Sequence, residues 1–242
     1  MPLYLAALLL PLLPGVASIA AALGDAGWTG LSASLIRAVT PDALLYTSAC
    51  VVVAAPLTGV WVASHRRGPL ATAGRLGLAT VIFCASSAAL TTVRLGGEAG
   101  SLLLILTSHA VLGSVTLALA ALGAFAGTCF RDLLDAAALA VGAALLAGFG
   151  VLVAGAPIAQ LPAPALEGAL LASPVLTIAT AAHVDLVRSD IWYQISPLAH
   201  VRLDYPAWTT VCGAYLLAGL AGFGAIGWFR PGRVPEQEEL GL

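Results

Sequence analysis

The stretch LLLILTSHAVLGSVTLALAALGAFAGT, Leu102–Thr128, decides the class of this protein. It carries no charged side chain. It also exceeds the roughly 20 apolar residues that take a helix across a hydrocarbon core about 30 Å thick. Working outward, five further runs meet or approach the same length: Leu3–Leu23, Ala43–Ser64, Leu76–Val93, Ala136–Ala156 and Trp208–Phe229. Charge gathers in the gaps between them. The 242 residues are 60% hydrophobic and 9% charged, where a soluble domain is about a quarter charged. Surface-to-volume scaling leaves a soluble fold of this size too little interior to hide so much apolar surface. The expected fold class is therefore an all-α polytopic membrane protein. It has six transmembrane helices plus a re-entrant or interfacial outer helix before the last span.

Six spans leave no room for a separate soluble domain, so residues 1–229 read as one transmembrane helical domain. The acidic end, 230–242, with Pro231 and Pro235, reads as a short disordered cytoplasmic tail. Leu3–Leu23 lacks the positively charged start of a signal peptide and has a long apolar run, so it is expected to be a retained span. A formal charge of −2 without a basic stripe excludes a nucleic-acid partner. The cysteines, Cys50, Cys84, Cys129 and Cys212, fall in or beside four different spans with no paired spacing. They read as small buried hydrophobes.

Every cation is an arginine. With both termini cytoplasmic, Arg66, Arg67, Arg75, Arg131, Arg230 and Arg233 lie in inner gaps, and Arg37, Arg94, Arg188 and Arg202 in outer ones. That bias follows the positive-inside rule. Trp61 and Trp228 fall at inner ends, with Trp28, Trp192, Tyr193 and Trp208 at outer ends, as an interfacial belt requires. The expected location is the cytoplasmic (inner) membrane.

The longest connection, Pro157–Ala207, contains a shorter apolar run, Gly168–Ala182, with Pro174 inside it. A run of that length is re-entrant or interfacial more often than spanning. After it come His183, Asp185, Arg188, Asp190, Trp192, His200, Arg202 and Asp204, the most polar and aromatic stretch of the chain. Their spacing matches no zinc-ligand pattern, and a solvated interfacial surface is the expected setting. No HExxH, GxSxG or glycine-rich phosphate loop occurs, so no covalent chemistry is assigned to this chain.

His109, inside the fourth run, is the sharpest single residue, because an ionisable group in the membrane defaults to a functional hypothesis. Three roles suit it. It hydrogen-bonds Thr107, Ser108 or a neighbouring helix; it faces a substrate pathway; or it is an axial ligand to haem in an electron-transfer anchor. Arg131, Asp132 and Asp135 mark the inner end of the fourth span. Small residues through Gly113–Gly127 and Ala136–Gly155 permit close helix packing, within a tight bundle or between copies.

The fourth span ends in Leu122-Gly-Ala-Phe-Ala-Gly-Thr-Cys-Phe-Arg-Asp132. An Ala/Leu-rich fifth span follows, then an outer segment carrying Ser173-Pro174, then Val187–Pro206 and the last span. From Ala43 to Phe229 this order resembles the membrane subunit of type-two ATP-binding-cassette exporters. In that family a small-residue helix ends in a Ser-x-x-x-Arg-like element, and an Asn-Pro-like dipeptide opens an outer re-entrant stretch. Two features depart from the pattern. The first span begins at Leu3 without a preceding amphipathic helix. The inner loop His65–Arg75 is basic and broken by Gly68, Pro69 and Gly74, where the family carries an acidic helical one.

The resemblance implies a permease beside a second permease copy or homologue, with ATP hydrolysed by a separate ATP-binding subunit and no cofactor bound directly. Arg66, Arg67, Arg75, Arg131 and Asp132 would then meet the ATPase. His109, Pro174, His183, Asp185, Arg188, Trp192, His200, Arg202 and Asp204 would line the pathway or its outer gate. The alternative is an accessory or anchor subunit of an electron-transfer or other large membrane complex, with haem or quinone near His109.

Overall fold

In the computed structural model the described residues are 41–64, 68–94, 99–187, 198, 203 and 205–229. The expected first span Leu3–Leu23, Arg66, Arg67, Arg188, Trp192, His200, Arg202, Asp204 and the tail 230–242 lie outside them. Every regular element among the described residues is helical. In chain order they are α1 (Pro41–Ser64), α2 (Pro69–Arg94), α3 (Ala99–Cys129) and α4 (Leu133–Val153), then α5 (Gly155–Ala159), α6 (Ala163–Ala172), α7 (Pro174–Ala181) and α8 (Trp208–Phe229). A chain this apolar must satisfy its backbone polar groups internally, and a helix does so within one segment.

Four stretches have the length and hydropathy to cross a membrane: Pro69–Ala89, Leu102–Cys129, Leu133–Val153 and Trp208–Trp228. Helix α1 is 24 residues long, and its apolar part Ser48–Ser64 belongs to the same bundle. Large apolar side chains stand on the surface. Leu70 is 88% exposed, Val153 77% and Leu146 74%, far beyond the patches a soluble monomer presents to water. This is the architecture of a helical membrane protein.

Helix α3 is the axis of the bundle. A Cβ at Gly123 would fall on the carbonyl of Pro56, and one at Gly59 on the carbonyl of Ala120. A Cβ at Gly127 would stand 3.1 Å from the Cα of Val60. Glycine at these positions lets the backbones of α1 and α3 touch, the small-xxx-small mode of packing in lipid. Pro56 pairs with Gly123 and Val60 with Gly127, so the two helices run parallel. Helix α8 is also parallel to α3, because Gly219 meets Ala118 and Gly222 meets Ala121. Helix α2 runs against α3: Gly113 lies beside Cys84, whereas His109 reaches Ser87. Helix α4 runs against α1: Gly148 packs on Val52, whereas Ala136 and Ala140 share a buried cluster with Val60.

The helices α1, α3 and α8 thus begin at one end of the bundle, here the first face, where α2 and α4 end. The second face carries Gly68, Phe130–Asp132 and the end of α8. Trp208 stands at the first face, and Trp61 and Trp228 near the second, so the described tryptophans frame both interfaces.

Several expected boundaries move by a few residues, and two helix starts show why. Helix α2 begins at Pro69 rather than Leu76, which brings Arg75 into the helix instead of the gap. Proline suits a first helical position, and the amide of Thr72 closes the turn onto the Gly68 carbonyl at 3.0 Å. Gly74 does not interrupt the helix, since glycine is better tolerated in lipid than in water. Helix α4 begins at Leu133 rather than Ala136, because Asp132 caps it by accepting from the amide of Leu134 at 2.8 Å.

Candidate functional site

The segment between α4 and α8 builds the site. Helix α6 ends at Ala172 and α7 starts at Pro174, with a 90° bend between them. Ser173 makes the corner. Its backbone is extended, its hydroxyl accepts from the amide of Leu176 at 3.4 Å, and it donates to the carbonyl of Gly148 at 2.8 Å. Proline at the next position is pre-set for the first turn of α7 and disfavours continuation of α6 through Ser173. One buried serine therefore caps a helix and bolts it to α4.

Seven of the eight residues of α7 are buried, Pro174 among them. The helix packs on α1, α3, α4 and α8. Ser173 sits beside Gly148, near the end of α4, while the other end of α7 lies beside Leu103 and Thr107, near the start of α3. Helix α7 thus runs from the level of Val52, midway along α1, to the start of α3. The described residues thus hold four long apolar helices, or five where the bent pair α6–α7 is counted as one span.

Helix α7 ends in a backbone cap usually built on glycine. The amide of Val184 reaches the carbonyl of Ala179 at 2.9 Å, and the amide of His183 reaches that of Thr180 at 2.9 Å. The residue in the left-handed region is His183, with φ 59°. A non-glycine residue there costs about 1 kcal/mol, and His183 is held at the mouth of a cavity.

That cavity has a volume of about 370 Å³ and lies between α3, α7 and the start of α8, within the size range of small-molecule sites. Its inner wall carries Thr107 from α3 and Thr177 and Thr180 from α7, with Leu170 beneath them. Leu103 and Val211 form apolar flanks, and His183, Tyr205 and Trp208 form the rim. Tyr205 donates to the Asp185 carboxylate at 3.4 Å, which ties the approach to α8 to the end of α7. No family model, curated protein or solved structure matches this chain.

His109 follows Thr107 by two residues, about half a turn, so it faces the other side of α3 and takes no part in the cavity wall. Its Nδ1 is 2.7 Å from the carbonyl of Ile105, which can only accept, so that nitrogen carries the proton. Its Nε2 accepts from the hydroxyl of Ser87 on α2 at 3.1 Å. Ser108 lies 3.4 Å from Nδ1 and gives its own proton to Ile105. Both ring nitrogens are engaged, and the residue joins α3 to α2.

Of the other expected site residues, His183 and Asp185 lie together past the end of α7, while Pro174 is buried at its start, next to the Ser173–Gly148 bond. Arg75, Arg131 and Asp132 lie at or near the second face, all exposed. Among the described residues no group of three His, Cys, Asp or Glu side chains converges as a metal site. The threonines of the cavity wall, Tyr205 and the Ser173–Gly148 bond have no conspicuous motif. The three-residue spacing of Thr177 and Thr180, which places both on one helix face, was the available signal.

Proposed function

We propose that this chain is the transmembrane subunit of an ATP-driven exporter, working with a second permease copy and a separate ATP-binding subunit. The observation that carries the reading is the bent pair α6–α7. Its two short apolar helices meet at 90° between the last two long helices, where the resemblance implies an outer re-entrant stretch. In this reading Leu3–Leu23 and α1 are crossings along with the four long apolar helices, giving six spans with both termini cytoplasmic. The first face is then the outer one. The cavity bounded by His183, Tyr205 and Trp208 belongs to the outer gate.

The second face would receive the ATPase. Arg75, Arg131 and the basic pair Arg66–Arg67 lie on that side in sequence or in space, and they supply docking charge where the membrane ends. This chain would hydrolyse nothing. It would couple nucleotide binding elsewhere to movement of α3 against its neighbours. The electron-transfer alternative draws less support, since iron ligation by His109 would have to displace Ser87 or Ile105.

The test is purification from the native membrane in mild detergent, with identification of everything that co-elutes. A stoichiometric ATP-binding subunit is the expected result. Cytochromes or a large redox assembly without an ATPase would overturn the reading.

A further inference from the structure

The chemistry of the cavity wall specifies more than its volume. Thr107 donates to the carbonyls of Leu103 at 3.0 Å and Leu104 at 3.1 Å. Thr177 donates to Ser173 and Pro174, both at 3.1 Å, and Thr180 donates to Leu176 at 2.7 Å. A threonine hydroxyl has one proton and two lone pairs. With their protons directed at carbonyls of their own helices, these hydroxyls offer lone pairs toward the cavity. Tyr205 likewise spends its proton on Asp185. Among the described lining residues the other side-chain donors, the indole N–H of Trp208 and the imidazole of His183, stand at the exposed rim, while the buried Tyr215 hydroxyl lies behind Thr177. Trp208 is 46% exposed, whereas Thr177 is 4% exposed.

The remaining lining is apolar. Leu170 is buried at the base and Val211 at the side, and Leu103, at 68% exposure, leads from the cavity to the lipid-facing surface. An apolar pocket with a few convergent polar groups selects its ligand by those groups, because an unmatched polar atom there is left unpaired. An acceptor-rich wall disfavours carbonyls, ethers and anions, which bring further lone pairs, and favours N–H and O–H.

We propose that this cavity binds an amphipathic molecule whose polar end is a hydrogen-bond donor, an alcohol or an amine. The donor is seated against Thr107, Thr177 and Thr180, and the chain leaves past Leu103. The inference goes beyond the transport reading and does not depend on an ATPase partner. The hydroxyl and ammonium arms differ in one respect: an ammonium gains from the Asp185 carboxylate held beside the rim.

The test uses the full chain in lipid nanodiscs, without nucleotide, and three photoreactive probes that share one decyl chain with a diazirine. One ends in a hydroxyl, one in a primary amine and one in a methyl ether. Mass spectrometry then locates the labelled peptides. The alcohol or the amine is expected to label the segments around Leu103–Thr107 and Trp208–Val211 about fivefold more than the ether, the ratio set by one hydrogen bond. Whichever of the two is stronger identifies the head.

Thr180→Val should abolish the preference over the ether while leaving helical content unchanged. Val211→Phe, which fills the cavity from another helix, should remove labelling by all three probes. Equal labelling by ether and alcohol would overturn the proposal. So would label spread evenly over lipid-facing positions such as Val81 and Leu146.

Discussion

Replacing Gly123 by alanine tests the central seam of the bundle. The new methyl would sit on the Pro56 carbonyl, 2.6 Å from its carbon and 2.7 Å from the Pro56 Cα. Carbon–carbon contact needs about 3.5 Å, so α1 and α3 must part by about 0.8 Å or more. A gap of that width forfeits a quarter to a half of each dispersion contact along the seam. Neither side can yield by changing a rotamer, because the obstacle is backbone. Overpacking costs about 1–3 kcal/mol, and this site belongs near the top of that range. Removing a helical glycine returns about 0.5–1 kcal/mol, leaving a net loss of about 2 kcal/mol.

Two companions calibrate the result. A Cβ at Gly127 meets Val60 and the Ala63 side chain at 3.1–3.2 Å, an overlap of a few tenths of an ångström that roughly cancels the helical gain. A Cβ at Gly142 meets nothing within 4 Å, so Gly142→Ala should stabilise by about 0.5 kcal/mol. The assay is equilibrium unfolding in mixed micelles, followed by helical signal. The expected order of stability is Gly142→Ala, then Gly127→Ala, then Gly123→Ala, spread over about 2–3 kcal/mol. Gly123→Ala within about 0.5 kcal/mol of Gly142→Ala would refute the seam.

Further outcomes follow from single contacts. Ser173→Ala removes both the helix cap and the buried bond to Gly148, and should cost about 1–3 kcal/mol in the same unfolding assay. His183→Gly relieves the left-handed backbone and should raise stability by about 1 kcal/mol; a loss would show that the imidazole makes a stronger contact than the cap geometry implies. A double-mutant cycle with His109→Phe and Ser87→Ala should give a coupling of about 0.6–1.7 kcal/mol, the range for hydrogen bonds between membrane helices. The purified protein should show no haem absorbance band, and a band lost in His109→Phe would restore the electron-transfer reading.

Much of the architecture was legible because lipid imposes a coarse rule. An apolar run of sufficient length becomes a helix, and Leu102–Thr128, Ala136–Ala156 and Trp208–Phe229 did so with small shifts at their ends. The short run around Ser173-Pro174 was legible as an interruption for the same reason. Pro69 and Gly74 misled because they read as breakers; a proline in the first turn starts a helix, and lipid leaves a glycine's backbone little alternative partner. The glycines of α3 announced close packing without naming a partner, since a stripe of small residues fits any second stripe. Only the fold shows that Pro56 and Val60 supply it.

The cavity was the least legible feature. His183 and Asp185 stood out by charge, yet the acceptor wall is made of threonines that look ordinary in an apolar run. Their meaning depends on where each hydroxyl proton goes and on three helices meeting. His109, conspicuous by type, turns out to face a neighbouring helix.

The most direct test of the account is the sidedness of the bent pair. In a variant with Cys50, Cys84, Cys129 and Cys212 replaced by alanine, single cysteines at Gln160, His183 and Arg131 would be probed in sealed vesicles with a membrane-impermeant maleimide. The account predicts that positions 160 and 183 react from the same side and position 131 from the opposite one. Labelling of 160 and 183 from opposite sides would make α6–α7 a true crossing and would contradict the architecture on which the functional reading rests.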